Sequence, residues 1–498
     1  MSIRKLAGET AIYGISSIVG RLLYFLLTPY YTHLFAPAEY GIVTDLFAYI
    51  GFAMVLFTYR MELAYFRFAT ESEAGKKTVF DTALTSIVGS TVLLGLIFLL
   101  LSPWMAAVSG YPDKANMVGI AVGILCLDAL AEIPFARLRL ERRPVKFAAI
   151  RLGSILVNLG ANIFFLSFCP YALAQESWKF LHSFLNAIYT PEFGIGYIFL
   201  SNLIASGFTL LLLAPQFFKL RLSIDPALWR KMTDYALPLV VVGFSYVINE
   251  MFDRKVMTRL LPGSTEENLH QLGIYGANYK LAMLLSLFTQ AFRYGAEPFF
   301  FRERGKEGST KAYADVAKFF AIAGILGFLG VTLFIDIFKY FIAPDYWSGL
   351  GAVPVLLIAN LFLGLYYNFS IWYKLTDRTR WGAYISVAGA LITIILNLWL
   401  VPVWGYMGAA WATLICYATM MLASFFIGKK YLDVPYQSRR MLLYFGFALI
   451  CFGLSSYFKD VFGFGFWTAL AANSFLLLCF LLLVFWLEKG AFLKKKRL

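Results

Sequence analysis

Apolar stretches of about 20 residues recur along the whole chain and are separated by short polar connections. A helix of that length spans the hydrocarbon core of a bilayer. Fourteen stretches qualify, and their approximate centres are Gly20, Met54, Val92, Cys126, Leu159, Ala205, Tyr246, Leu285, Gly327, Leu361, Leu391, Thr413, Ile450 and Leu476. The pattern predicts an all-α integral membrane protein with about 14 transmembrane helices, and an even number places both termini on one side.

An internal repeat relates the second and eighth of these helices. Three polar or glycine positions match at separations of 232 to 235 residues: Gly41 with Gly273, Glu62 with Glu297, and Arg67 with Arg302. Further along, Asn162 and Gly194-Ile-Gly are echoed by Asn397 and Gly405-Tyr-Met-Gly. A spacing of six helices preserves direction, which predicts two parallel six-helix lobes with the substrate held between them. The predicted lobes cover residues 1–217 and 218–440, followed by two extra helices and a basic tail in 441–498.

The charges fix the expected orientation. Sixty per cent of the 498 residues are apolar, and the net charge is +14. Thirty-two of the 43 Lys and Arg residues fall in the even-numbered connections and the two ends, whereas five fall in the odd-numbered connections. Basic residues concentrate on the cytoplasmic side of membrane proteins, so both termini are expected in the cytoplasm. The excess of basic over acidic residues is therefore explained by membrane orientation, without a nucleic-acid partner.

Residues for enzyme chemistry are scarce. The five cysteines have no CxxC spacing, and His33, His182 and His270 stand far apart at predicted outer helix ends. No HExxH, GxSxG or phosphate-loop motif occurs, so we expect no metal site and no cofactor.

The longest outer connection contains residues 176–189, which are expected to lie as an amphipathic helix on the membrane surface.

Six basic residues fall inside predicted helices: Arg21, Arg60, Arg254, Lys255, Lys280 and Arg293. Each costs roughly 2.5 to 3.5 kcal/mol if it faces lipid at the bilayer centre, so most must face water, a partner or a helix end. Arg21 is too deep to reach the interface easily. Arg254 has a simpler interpretation, an ion pair with Glu250 one turn away, and Arg60 and Arg293 could reach the cytoplasmic interface.

A basic cavity suits an anionic substrate, because diphosphate oxygens accept charge-assisted hydrogen bonds from arginine. The candidate substrate-binding residues are Arg21, Arg254, Arg293 and Arg60. Acids in or near the same helices could carry a coupling H+ or Na+, and these candidates are Glu250, Asp253, Asp45, Glu62 and Glu297. For each acid taken singly, a structural ion pair is the favoured interpretation.

Three segments of the chain carry a family resemblance: LLTPYYTHLFAPAEYGIVTDLFAYI, then Phe252-Asp253-Arg254 with Gly273-Ile-Tyr-Gly-Ala-Asn-Tyr-Lys, and Asn397-Leu-Trp-Leu-Val-Pro-Val-Trp-Gly-Tyr-Met-Gly-Ala-Ala-Trp-Ala-Thr. They resemble the polysaccharide transporters of the multidrug/oligosaccharidyl-lipid/polysaccharide (MOP) flippase superfamily, the Wzx-like O-antigen and capsule flippases. The resemblance implies a V-shaped pair of lobes in the bacterial cytoplasmic membrane. It also implies export of an undecaprenyl-diphosphate-linked oligosaccharide for lipopolysaccharide, O-antigen or capsule, with membrane lipids and a polysaccharide polymerase or ligase as partners. Asp253 and Arg254 match as a pattern without an assigned role.

Three other functions stay open at this point. A cation-coupled multidrug antiporter of the same superfamily would favour an acidic, aromatic cavity. A lipid II flippase would need the same diphosphate chemistry. An enzyme of envelope polysaccharide synthesis would need an acid or histidine cluster on an outer loop, and the sequence contains none.

Overall fold

A computed structural model describes residues 3–71, 75–218 and 221–495. These ranges are almost entirely helical and contain no β-strand. The helices are α1 (Ile3–Leu34), α2 (Pro37–Thr58), α3 (Met61–Glu71), α4 (Lys76–Val108), α5 (Ala115–Leu140), α6 (Pro144–Ile163), α7 (Cys169–Ala174), α8 (Lys179–Ile188), α9 (Gly196–Phe217), α10 (Pro226–Leu260), α11 (Thr265–Glu303), α12 (Ser309–Leu333), α13 (Ile335–Phe338), α14 (Ala352–Phe369), α15 (Ile371–Leu375), α16 (Arg380–Gly428), α17 (Ser438–Phe462) and α18 (Phe466–Lys495). A π-helical turn, Phe164–Phe168, joins α6 to α7.

The predicted all-helical membrane fold is confirmed. Eleven helices within the described ranges are long and apolar enough to cross a bilayer. Two others, α1 with 32 residues and α11 with 39, have the length without being among the eleven. α16 joins two helices across a break at Gly405. The number of 14 crossings stays a prediction.

Packing divides the chain into two compact units, residues 1–273 and 274–498. In the first unit a core cluster joins α3, α4, α5 and α10 through Met61, Phe80, Ile133 and Met232. α10 is the seventh predicted helix, and it packs against α2 and α3. The units thus divide at Gly273 and not at residue 217. The lobe boundaries taken from the repeat stay a prediction, because contacts and sequence repeats group helices by different criteria.

The glycines and asparagines of the repeat have matching local structures. Asn162 and Asn397 are both fully buried. Each side-chain amide donates to the carbonyl four residues earlier, Asn158 at 2.9 Å and Thr393 at 2.8 Å. Gly194 and Gly405 share a positive φ (47° and 58°) with a strongly negative ψ (−119° and −139°), which only glycine adopts readily. These shared details support the repeat.

The third matched glycine pair makes a close helix contact inside the first unit. A Cβ added at Gly41 would collide with the backbone carbonyl of Leu269, and one added at Gly273 would collide with that of Pro37. The first turns of α2 and α11 therefore cross with their backbones touching. Small residues at both positions permit this approach.

The predicted amphipathic segment forms a short helix. α8 follows a 3-10 turn, Glu176–Trp178, and buries Leu185 against the ends of α6 and α9. Phe180 and Phe184, one turn apart, are exposed.

A buried charge network attaches α17 and α18 to α12 in the second unit. Lys318 of α12 donates to Glu488 of α18 at 2.7 Å, and both side chains are almost fully buried. Arg440 (3.1 Å) and the Tyr444 hydroxyl (2.8 Å) of α17 donate to the other oxygen of Glu488. Every oxygen of this carboxylate is satisfied, so the network fixes the positions of three helices.

We expect Lys318→Met to destabilise the second unit, because Glu488 loses the only lysine that pairs with it in the described ranges. Breaking a buried ion pair costs on the order of 3 kcal/mol. Thermal unfolding of the purified protein in detergent measures the loss. Lys429→Met, at the exposed end of α16, is the matched control. Equal melting temperatures for the two variants would contradict a stabilising role for the network.

Candidate functional site

An ion pair in the first unit links α2 to α10. The Lys255 ammonium donates to Asp45 Oδ1 at 2.6 Å and to the Asp45 backbone carbonyl at 2.9 Å. It also lies 2.9 Å from the centroid of the Tyr49 ring. The Tyr111 hydroxyl donates to Asp45 Oδ2 at 2.8 Å, and the Asp45 side chain is only 1% exposed. Both charges are fully satisfied, as a pair buried at membrane depth requires.

The span that begins with α2 is broken at Tyr59 and Arg60. Both residues have a positive φ, 32° and 59°, and neither is glycine. Such conformations cost about 1 to 3 kcal/mol each and persist only where surrounding contacts hold them. The Tyr59 hydroxyl is hydrogen bonded to Ser86 Oγ of α4 at 2.6 Å, and Trp229 of α10 donates to the same oxygen at 2.6 Å.

The break places Arg60 against α10. Its guanidinium lies so close to Gly243 that a Cβ there would approach Nη2 to 2.7 Å. Arg60 Nη1 is 3.6 Å from Glu62 Oε1, with side chains 29% and 12% exposed. We call these two residues the Arg60 pair. An arginine held by backbone contact on one side keeps its N–H groups available on the other.

The second unit contains a related group of charges. Glu297 Oε1 accepts from Lys374 Nζ at 2.6 Å and lies 3.5 Å from Arg293 Nε. The Arg293 guanidinium carbon is 4.9 Å from the centroid of the Tyr367 ring. We call Arg293, Glu297 and Lys374 the Arg293 cluster. The cluster contains two cations and one carboxylate, so its formal net charge is +1.

The internal repeat matches the glutamates of the Arg60 pair and the Arg293 cluster. Glu62 and Glu297 are 235 residues apart, a register that places Gly295 and not Arg293 opposite Arg60. Each unit thus holds an arginine near a matched glutamate, at a different spacing in each. Arg293 and Glu297 are 43% and 35% exposed. Ion pairs with that exposure contribute little to stability, which leaves these groups free to exchange partners.

The other predicted site residues fall outside these two groups. Arg21 is exposed on α1 and makes no hydrogen bond or ion pair with the side chains that the structure describes. Asp253 is buried on α10 and accepts the backbone N–H of Arg254 at 2.8 Å. Glu250 lies on the same helix. The roles of these four residues stay predictions.

Two residues of the observed groups have no role in the sequence-based site. Lys374 counts among the basic residues that orient the chain, and nothing in its sequence neighbourhood distinguishes it from them. Lys255 stands out as a charge inside a predicted helix, but its partner lies 210 residues away. Within the described ranges, no three His, Cys, Asp or Glu side chains are placed to hold a metal ion.

An apolar groove runs between α12, α14, α16 and α17 of the second unit. It encloses about 290 Å³, and its lining includes Leu361, Leu365, Phe425, Met441 and Phe445. Apart from Ser438 at one end, the lining side chains are hydrocarbon, aromatic or thioether groups. Such a groove fits a hydrocarbon chain and offers few partners to a polar ligand.

Comparison with known families gives one extensive match. Residues 6–296 match the family described as polysaccharide biosynthesis protein. The match covers more than half of the chain, including the Arg60 pair and Arg293, and ends before the segment that begins at Asn397. A comparison with curated protein sequences returned no match.

Several solved membrane transporters share the fold. The lipid II flippase MurJ in an inward closed conformation has a TM-score of 0.70 at 15% identity, over 95% of this chain and 99% of that one. An inward-facing multidrug resistance MATE family transporter of the MOP superfamily has a TM-score of 0.60 at 14% identity, over 86% and 94%. The Vibrio cholerae MATE transporter VcmN in its bent form gives 0.53 at 12% identity, over 86% and 97%. The chain therefore has the fold of these transporters.

We expect Asp45→Asn to lower stability, because the Lys255 ammonium would stay buried without its counter-charge at a cost of about 3 kcal/mol. Adding Lys255→Met should recover most of the loss, since the double variant buries no unpaired charge. Thermal unfolding of the single and double variants in detergent measures both effects. The exposed acid Asp113, changed to Asn, is the control. A double variant as unstable as the single one would contradict a pairing role for Lys255.

Proposed function

Since the chain belongs to the polysaccharide biosynthesis protein family, we propose that it is a flippase for an undecaprenyl-diphosphate-linked oligosaccharide. It moves this lipid from the inner to the outer leaflet of the bacterial cytoplasmic membrane by alternating access. The observation that carries the proposal is the Arg293 cluster; the Arg60 pair is a second arginine–glutamate group in the first unit. Both groups hold an arginine in an ion pair that is not fully buried.

The Arg293 cluster has the chemistry to bind a diphosphate. Arg293 and Lys374 offer several N–H donors, and the single oxygen of Glu297 leaves most of them unoccupied. Phosphate oxygens accept such donors in short charge-assisted hydrogen bonds. A diphosphate that replaces Glu297 at these donors would bring more negative charge than it displaces. In this proposal Arg293 and Lys374 bind the diphosphate directly.

Displacement of Glu297 also provides a means of ion coupling. In the described state its carboxylate is stabilised by two cations. When those cations turn to the diphosphate, the carboxylate loses its counter-charges. We therefore propose Glu297 as the site of the coupling ion, H+ or Na+. Asp45 is less suited, because both of its oxygens already have partners.

The apolar groove of the second unit accommodates the other end of the substrate. A polyprenyl chain is a branched hydrocarbon, and transfer of its methyl groups from water to a hydrocarbon lining is favourable. The groove is lined by helices that expose apolar side chains, among them Leu422, Phe426 and Leu442. We propose that it seats part of the lipid chain.

Two relatives define the alternatives. MurJ is a lipid II flippase, and lipid II carries the same diphosphate linkage, so the Arg293 cluster fits that substrate equally in chemistry. MATE family transporters are multidrug transporters, but a cluster with a net positive charge disfavours a cationic drug. The cluster therefore favours a lipid-linked diphosphate over a drug.

The proposal predicts transbilayer movement of a fluorescent polyprenyl-diphosphate oligosaccharide in proteoliposomes that contain the protein, but not in empty vesicles. Arg293→Ala and Lys374→Ala should each slow movement about tenfold or more, because a hydrogen bond to a charged group contributes about 1.5 to 3 kcal/mol. Arg21→Ala tests the predicted role of α1 in the same assay.

The exposed Arg439, changed to alanine, is the matched control for a lost positive charge. If wild-type vesicles move no sugar lipid across several sugars and ion gradients, the flippase proposal is wrong and the drug antiporter becomes the better explanation. If Lys374→Ala moves the lipid at the wild-type rate, Lys374 does not bind the diphosphate.

The charge distribution predicts that the connection between α16 and α17 is cytoplasmic. In a variant without the native cysteines, Asp433→Cys should react with a membrane-impermeant thiol reagent only in inside-out vesicles. Labelling of this exposed position in right-side-out cells would reverse the proposed orientation.

A further inference from the structure

A polar cavity lies in the first unit between α3, α4 and α5. It encloses about 520 Å³ and is lined by three cations (Lys76, Lys77, Arg137), two carboxylates (Asp81, Glu141) and the Tyr65 side chain. None of these residues belongs to the Arg60 pair, the Arg293 cluster or the apolar groove. The cavity wall carries both positive and negative side chains, so a ligand must match where each of them lies.

Arg137 and Glu141 form a fixed part of the wall. Arg137 Nε donates to Glu141 Oε1 at 2.6 Å, and its guanidinium carbon lies 4.4 Å from the centroid of the Phe80 ring. Arg143 lies 3.1 Å from the other oxygen of Glu141. Glu141 is thus already balanced by two arginines. The cavity retains a positive side formed by Arg137 with the exposed Lys76 and Lys77.

Asp81 forms the negative side of the cavity. Its side chain is 4% exposed, and its Oδ1 has no hydrogen-bond partner among the residues that the structure describes. In the same part of the chain no lysine or arginine pairs with Asp81. A charged N–H donor is the group that satisfies a carboxylate best.

The level of the cavity in the membrane narrows the choice of ligand. Lys76 and Lys77 begin one apolar span, and Leu140, also in the lining, ends another. The ends of spanning helices lie where phospholipid headgroups are found.

We propose that this cavity binds the headgroup of a zwitterionic phospholipid with a primary ammonium group. The phosphate lies against Lys77 and Arg137, and the ammonium donates to Asp81. An anionic glycerol headgroup offers Asp81 only neutral hydroxyl donors and no ammonium to balance its charge. A choline headgroup carries the right charges but has no N–H to donate, so Asp81 selects the primary amine.

The test is thermal unfolding of the purified full-length protein in detergent with short-chain lipids added below their micelle concentration. We expect dihexanoylphosphatidylethanolamine to raise the melting temperature saturably. The phosphatidylglycerol and phosphatidylcholine analogues should act only at concentrations at least tenfold higher. Equal effects of the three lipids would overturn the proposal. Free phosphoethanolamine that acts as strongly as the lipid would overturn the assignment to a lipid.

Two variants test the two ends of the headgroup. Asp81→Asn should raise the phosphatidylethanolamine concentration for half-maximal stabilisation at least tenfold and leave that for phosphatidylglycerol unchanged. Lys77→Ala, at an exposed position where misfolding is not expected, should weaken both lipids. Arg439→Ala is the control for lost charge. Unchanged lipid selectivity in Asp81→Asn contradicts the proposal. Thermal unfolding does not depend on transport, so a negative result here would leave the flippase proposal unaffected.

Discussion

A charge inside an apolar helix needs a counter-charge or water within reach, because neither lipid nor hydrocarbon side chains can solvate it. The ion pairs of this protein follow from that requirement. Asp45 with Lys255 attaches α10 to α2, and Lys318 with Glu488 attaches α18 to α12. In both cases the pair joins residues that are far apart in the sequence, and apolar contacts pack the same helices together.

The same requirement separates two classes of charged group. Lys255 and Glu488 are buried with all of their hydrogen-bonding capacity used, so they resist any change of partner. The Arg60 pair and the Arg293 cluster are partly exposed and have longer arginine contacts of 3.6 and 3.5 Å. Helix packing is served by the first class, and reversible binding of an anion by the second. Each of the two units thus contains one arginine–glutamate group of the second class.

The sequence was sufficient for the helical membrane fold, because apolar runs and their lengths are local properties. It also predicted Asn162 with Asn397 and Gly194 with Gly405, since residues with special packing or backbone needs recur at matched places. It could not predict that Lys255 pairs with Asp45, or that Lys374 reaches Glu297, because these contacts join residues 210 and 77 positions apart. The break at Tyr59 and Arg60 was also beyond prediction, since neither glycine nor proline marks it. Contacts with Ser86 and Gly243 hold those two residues, and such contacts exist only in the folded protein.

That break has a mechanical consequence. In an unbroken helix, twisting or sliding one end carries the other end with it. At Tyr59 and Arg60 the helix is interrupted. The orientation of the Arg60 side chain is therefore set by its contact with Gly243 of α10 and not by the axis of α2. A bend of α10 near Gly243 would then turn this arginine directly, while the buried pair of Asp45 and Lys255 keeps α2 and the far end of α10 together.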